Sequence, residues 1–222
     1  MKVIITGSTG MVGRAVLIEC LEDKSVTEVL VINRNPIELT HDKLKEVLVK
    51  DFGQIERYAS DLSGYDACFH CMGVSAVGLS EEAYHKITYG FSQSLMDILF
   101  QLNPQMTVTY VSGRGSDSTE QGNVMWARVK GATENYMLNR GFKDAYAFRP
   151  GIILPEKGVK SKTAWYNAAY VVLRPFFPLM RKMKSSTGSS DVGRAMLAVC
   201  RQPDAVKIVE VEDINRLSRR NN

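Results

Sequence analysis

The chain of 222 residues predicts an α/β fold, one domain built on a doubly wound parallel sheet with a small helical region near the C-terminal end. Three observations carry this expectation. Short apolar, β-branched runs alternate with longer stretches of helical periodicity through the first 149 residues. A glycine-rich octapeptide, Thr6-Gly7-Ser8-Thr9-Gly10-Met11-Val12-Gly13, lies between the first run and the first helical stretch. No repeat or low-complexity tract divides the chain, and its length suits a single core spanning residues 1–222.

The elements follow in order. Val3-Ile4-Ile5 predicts the first strand, and residues 11–21 a helix with apolar positions at Val12, Ala15, Val16, Ile18 and Cys20. Residues 26–32 predict a second strand and 45–49 a shorter third. Residues 54–60 read as a short helix or turn, and 67–71 as a fourth strand. Ser80 opens a long helix, with a capping hydroxyl and Glu81 and Glu82 in its first turn. Asn103-Pro104 stops that helix near Leu102. A fifth strand is expected at 106–111, a helix at 124–139 ended by Gly141, and a sixth strand at 145–149 ended by Pro150-Gly151. Ser190-Asp191 caps a helix at 192–201, residues 207–211 form a last strand, and the polar tail 216–222 is expected to fray. Strands alternating with helices imply parallel crossover units and a Rossmann-type sheet.

In such sheets ligands lie beyond the carboxyl ends of the strands. Those ends carry Thr6 to Gly13, Asn33 and Arg34, Asp51 and Phe52, Cys71, Met72 and Gly73, Ser112, and Pro150, Gly151 and Ile152. Strand, glycine turn and helix together make a dinucleotide site. Gly7 permits the tight turn, Gly10 lets backbone approach a pyrophosphate, and Gly13 lets the helix pack close on the strand. The helix start then offers its N–H groups to phosphate. The spacing is G-x-x-G-x-x-G rather than the commoner G-x-G-x-x-G.

An NAD site usually places an acid after the second strand for the ribose 2′-hydroxyl. Here that place holds Asn33-Arg34-Asn35. Arg34, with Arg14 directly after Gly13, suits a 2′-phosphate, so NADP is expected over NAD. Asp51 is placed to accept from the adenine amine.

Other features bound the function. Lys plus Arg number 28 against 24 acids, a net charge of +4, too weak a bias to imply nucleic acid; a small-molecule partner is expected instead. The first core strand begins at the N-terminus with no charged leader or cleavage site, no stretch is long enough to span a membrane, and four cysteines suggest reduced thiols, so a cytoplasmic protein is expected. Cys68 and Cys71 form a C-x-x-C around His70. On a strand these two face opposite ways, which argues for a buried strand over a metal or redox pair. Residues 157–184 hold seven basic side chains and no acid: Lys157, Lys160, Lys162, Arg174, Arg181, Lys182 and Lys184. Trp165, Tyr166, Tyr170, Phe176 and Phe177 lie among them. The readings are an ordinary helix pair, a substrate region over 155–190 that favours anions, and a membrane-surface helix.

With Thr6-Gly7-x-x-Gly10-x-x-Gly13, Ser112 at a strand end and Lys130 on the next helix, the chain resembles the short-chain dehydrogenase/reductase superfamily, in its extended and atypical branches that include NAD-dependent epimerase/dehydratase-like proteins. Residues 125–135 and Phe148-Arg149-Pro150-Gly151 resemble the small subgroup of Tat-interacting, NADPH-binding proteins of animals. The resemblance spans essentially the whole chain. It implies a Ser–Tyr–Lys set: a phenol that exchanges the proton, a lysine that lowers its pKa and holds the nicotinamide ribose, and a serine that orients the substrate oxygen. Ser112 and Lys130 match, but Trp126 stands four before Lys130 where the tyrosine is expected. An indole N–H donates a hydrogen bond but does not ionise near neutral pH. Three readings stay open: a reductase with another proton source such as Tyr89, Tyr166 or Ser116; reduction of a quinone-like or enone substrate with a solvent proton; and NADP binding without turnover in a sensor or assembly role.

Overall fold

The computed structural model describes residues 1–159, 177–181, 183 and 185–220. Seven parallel strands form the main sheet: β1 (Lys2–Thr6), β2 (Glu28–Asn33), β3 (Leu44–Leu48), β4 (Ala67–His70), β5 (Thr107–Val111), β6 (Asp144–Arg149) and, after two short strands given below, β9 (Ile208–Glu210). Their order is β3-β2-β1-β4-β5-β6-β9. Strand order reverses between β1 and β4, which opens a crevice at their carboxyl ends.

Both faces of the central strands β1, β2 and β4 are covered, which is why their middles read as apolar runs, whereas the edge strand β3 is half exposed and mixed. Val3, Ile5, Val29, Val31, Ala67 and Phe69 enter one core with α1 (Met11–Glu22) and the C-terminal helices α7 (Ser189–Arg201) and α8 (Val211–Leu217). Ile4, Leu30, Ile32, Cys68, Val108 and Tyr110 enter the other. That side is closed by a 3-10 helix (Phe52–Tyr58) running into α2 (Ala59–Leu62), by α4 (Phe91–Leu102) and by α5 (Met125–Leu138). Cys68 and Cys71 fall in opposite layers, as strand alternation requires, and all four cysteines are free thiols.

Four expectations are corrected. The fourth strand ends at His70, one residue early. The single helix expected from Ser80 is α3 (Glu81–His85), a π turn (Lys86–Gly90) and then α4. Ser92 Oγ donates to the Thr88 carbonyl within that turn, a side-chain bond that competes with the helical ladder. The tail does not fray up to Arg220. Val211, Ile214 and Leu217, spaced three apart, bury one face of α8, and Arg216 and Arg220 pair with Asp204 at 3.0 and 2.5 Å. A second, two-stranded parallel sheet joins β7 (Ile152–Leu154) to β8 (Ser186–Gly188), with a short helix α6 (Phe177–Met180) before β8.

The basic segment is also partly recast. Lys157 pairs with Glu19 and Glu22 of α1 at 2.6 and 2.5 Å, and Arg181 pairs with Glu156. Those two cations tie the chain to itself. Lys160, Lys162, Arg174, Lys182, Lys184, Trp165, Tyr166, Tyr170 and Phe176 lie outside the described residues.

Candidate functional site

A cleft of about 300 Å³ opens at the strand-order reversal. Gly7, Thr9 and Gly10 line it from β1, Ile32, Asn33, Arg34 and Asn35 from β2, Phe52 from β3, and Cys71, Met72 and Gly73 from β4. Ile32 and Asn35 are additions to the residues expected from sequence.

The glycine turn is built as its spacing implies. Gly7 has φ +70°, a region side chains avoid, and a Cβ there would lie 2.6 Å from the Cys71 carbonyl oxygen. A Cβ on Gly13 would come within 2.2 Å of the Gly7 carbonyl oxygen. Gly10 N donates to Gly7 O at 2.9 Å, closing the turn on which α1 starts. No side chain caps that helix start and no acid stands in its first turn. The end therefore keeps its positive potential for an anion. A dinucleotide pyrophosphate fits this cradle.

Thr6 and Ser8 are buried and act beneath the turn. Ser8 Oγ donates to Asn33 Oδ1 at 2.9 Å, and Asn33 Nδ2 donates to Glu46 Oε1 at 3.0 Å. An acid thus does reach the end of β2, from β3; a search confined to the residues just after β2 misses it. Thr6 belongs to a chain that was not anticipated. Ser92 Oγ gives its proton to Thr88 O, so it accepts from His70 Nε2 at 2.8 Å. Thr6 Oγ1 then donates to His70 Nδ1 at 2.7 Å and accepts the Met72 amide at 3.3 Å. The chain holds the backbone of a cleft-lining residue. Burial, with a smaller contribution from the Lys130 charge, pushes the His70 pKa down to about 3. Its only sequence signal is a histidine inside an apolar strand.

Arg34 is exposed at the cleft rim, and Lys50 Nζ donates to its carbonyl at 2.7 Å. Arg14 lies on α1 beyond the lining residues, and Met11 and Val12 begin that helix, with Val12 packed on the core. The carboxylate of Asp51 caps the 3-10 helix by accepting from Gly53 N at 2.9 Å, which leaves Phe52 rather than Asp51 on the cleft wall.

Ser112 and Lys130 meet at the end of β5. Lys130 Nζ donates to the Ser112 carbonyl at 2.9 Å and lies 5.7 Å from the centre of the Tyr110 ring. Burial lowers the Lys130 pKa to about 8, against a raising effect from Glu134. Ser116 Oγ donates to Gly113 O at 2.9 Å, so Ser112 Oγ, 2.8 Å from Ser116 Oγ, gives its own proton to Ser116. Trp126 lies in the first turn of α5 and packs over Gly115; a Cβ there would meet the indole at 3.6 Å. Neither Ser112 nor Lys130 lines the 300 Å³ cleft.

Pro150, Gly151 and Ile152 are not brought to that cleft. Pro150 O accepts from Arg114 N at 3.1 Å, and Ile152 N donates to Ser185 O at 2.9 Å. A Cβ on Gly151 would lie 2.4 Å from Ser185 O, so this glycine serves a close approach of backbones. Just before it, Arg149 grips the fully buried Glu134 through Nε, at 3.0 and 3.2 Å from its two oxygens, and through Nη2. The same guanidinium donates to Ser118 Oγ at 2.6 Å, anchoring the loop after β5.

Comparison with known proteins agrees with this geometry. The chain is 23% identical over 166 residues to Protein HTATIP2 of Rattus norvegicus, covering 74% of this chain and 67% of that one. It is 26% identical over 160 residues to Protein FMP52, mitochondrial, of Meyerozyma guilliermondii, covering 71% and 67%. Among solved structures, the Bordetella bronchiseptica enzyme WbmF in complex with NAD+ superposes with a TM-score of 0.69 at 14% identity, over 97% of this chain and 76% of that one. Helicobacter pylori ADP-L-glycero-D-manno-heptose-6-epimerase gives 0.70 at 18% identity, over 94% and 75%. Both structural likenesses speak for the fold. Residues 3–122, more than half of the chain and all of the glycine turn and cleft wall, match the model of the NAD dependent epimerase/dehydratase family, and the chain belongs to that family.

Proposed function

We propose that this protein binds NADP(H) in the switch-point cleft and uses it in an oxidoreductase or epimerase-like reaction on a small molecule, without a tyrosine proton donor. The observation that carries the reading is that the glycine turn and Arg34 line one cleft. The turn suits a pyrophosphate and the guanidinium a 2′-phosphate. When bound, the reduced nicotinamide supplies a hydride. Lys130 would hold the adjoining ribose, with Ser112 O fixing its ammonium. Tyr89 is a poor proton source, since burial, with Glu120 and Asp97 nearby, raises its phenol pKa above the ordinary value. The hydroxyl of Ser116 is engaged by Gly113 O, and Tyr166 lies outside the described residues. Solvent then delivers the proton, which suits a substrate such as a quinone or enone. Four free thiols suit a reducing compartment such as the cytosol.

A second reading is an NADP(H)-binding regulatory or assembly protein without turnover. Trp126 in the phenol position and the Ser112 proton directed at Ser116 favour it.

Titration with NADPH and NADH, on the intact chain and on Arg34→Ala, tests the binding claim. Arg34→Ala is expected to weaken NADPH about tenfold or more while leaving NADH within threefold, in line with the loss of one charge-assisted pair. Equal losses for both cofactors, or no binding of either, would refute it. Turnover of a quinone, enone and aldehyde panel that disappears in Lys130→Ala separates the enzyme from the regulatory reading.

A further inference from the structure

We infer that Glu46 is the positioning residue that sets preference for NADPH over NADH, by holding the loop that carries Arg34. The inference rests on the NADP(H) reading above.

Glu46 lies on β3, paired in register with Val31 of β2, so its side chain stands beside the end of β2. One oxygen, Oε1, accepts two bonds: from Asn33 Nδ2 at 3.0 Å and from Ile37 N at 3.1 Å. Asn33 and Ile37 bracket the loop, and Arg34 and Asn35 between them line the cleft. Pro36 has no N–H, so the Ile37 amide is the first donor after Asn35 able to tie the far side. Lys50 holds the middle through Arg34 O. From Asn33 the chain runs on to Ser8 Oγ in the glycine turn. Ser8 and Asn33 are buried, and their bonds leave each with a specific partner. Carboxylate, amide and hydroxyl thus join the ends of β3, β2 and β1, registering the ribose loop against the pyrophosphate turn.

The guanidinium itself is exposed, and a long exposed side chain loses rotamer freedom when it binds. Its backbone therefore has to be held for a 2′-phosphate to meet it at a fixed place. The carboxylate of Glu46 does this through acceptance at Oε1, not through charge toward the ligand. An acid that touched the ribose hydroxyl, as in an NAD site, would make the opposite contribution.

The test is the ratio of NADPH to NADH dissociation constants in the full chain and in Glu46→Gln, Glu46→Ala and Ser8→Ala, with thermal unfolding as a check on folding. Glu46→Gln keeps a carbonyl oxygen that accepts both bonds, and the ratio is expected to stay within threefold or to move toward NADPH. Glu46→Ala frees both ends of the loop; NADPH should weaken about tenfold and NADH much less, so that the preference shrinks. Ser8→Ala breaks the same chain at its other end and should shift the ratio in the same direction. An unchanged ratio in Glu46→Ala overturns the inference while leaving the NADP(H) reading intact. Loss of NADH binding in Glu46→Gln overturns it too, because it marks a direct ribose contact. Failure of the unaltered chain to bind either cofactor refutes the NADP(H) reading and this inference with it.

Discussion

The buried histidine makes acid sensitivity calculable. In the native chain His70 is neutral, with Nε2–H given to Ser92 and Nδ1 accepting from Thr6. Protonation would add a charge in a site without solvent and put a second proton against the Thr6 hydroxyl. Its pKa falls accordingly from 6.5 to about 3, with desolvation as the larger cause. The folded value is depressed, so between pH 3 and 6.5 the unfolded chain binds more protons than the native one, and stability rises with pH through that window. At pH 5 the unfolded imidazole is 1.5 units below its own pKa, which amounts to about 2 kcal/mol at 1.36 kcal/mol per unit. The full shift, reached near pH 3, corresponds to about 5 kcal/mol as an upper figure. Urea unfolding at pH 5.0 and 7.5 measures this, on the wild-type chain and on His70→Gln, which keeps one donor and one acceptor but does not titrate. The quantity is the loss of stability between the two pH values, so any constant cost of the substitution cancels. Wild type should lose about 2 kcal/mol more than His70→Gln. Parallel pH dependences would refute the neutral, relay-bound imidazole.

Three further outcomes follow from the packing. Gly13→Ala puts a methyl 2.2 Å from the Gly7 carbonyl oxygen, so it should cost at least 1–3 kcal/mol by overpacking and abolish NADPH binding; calorimetry with and without NADPH reads both. Glu134→Gln leaves the Arg149 guanidinium half-partnered beside a buried amide, and denaturant titration should register a loss of about 3 kcal/mol, the low end for a broken buried pair because Ser118 and Glu210 remain. Trp126→Tyr returns a phenol to the position four before Lys130, and turnover of a carbonyl substrate should rise about 10²-fold or more if proton donation is what the site lacks; an unchanged rate would assign the indole a packing role over Gly115.

The centre of the sheet was legible from the sequence because β1, β2 and β4 are buried on both faces. Such strands are continuous apolar runs, and Val3-Ile4-Ile5 shows this: alternate residues enter different cores, yet none is polar. Gly7 and Gly13 were legible for a related reason. Their roles are local, a positive φ and a close approach within seven residues, and only glycine meets either demand. Ser80 as a cap and Asn103 as a stop are likewise set by neighbours in the chain.

What tertiary structure alone decided is how distant side chains meet. Thr6 and His70 are 64 residues apart, and nothing in the periodicity of either strand states that their polar atoms face each other. Asn33 read as a strand-end contact for the cofactor, but parallel register brings Glu46 to it from β3 and engages its amide nitrogen. At Pro150-Gly151, pairing of Ile152 with the chain near Ser185 ties the end of the turn to the second sheet, a contact that no local spacing announces. The tail looked polar because five of its last seven residues are Arg or Asn; docking of Ile214 and Leu217 and the Asp204 pairs hold it through Arg220. Secondary structure and turns answer to spacing along the chain. A site answers to which strand ends become neighbours, and that is a property of the sheet order.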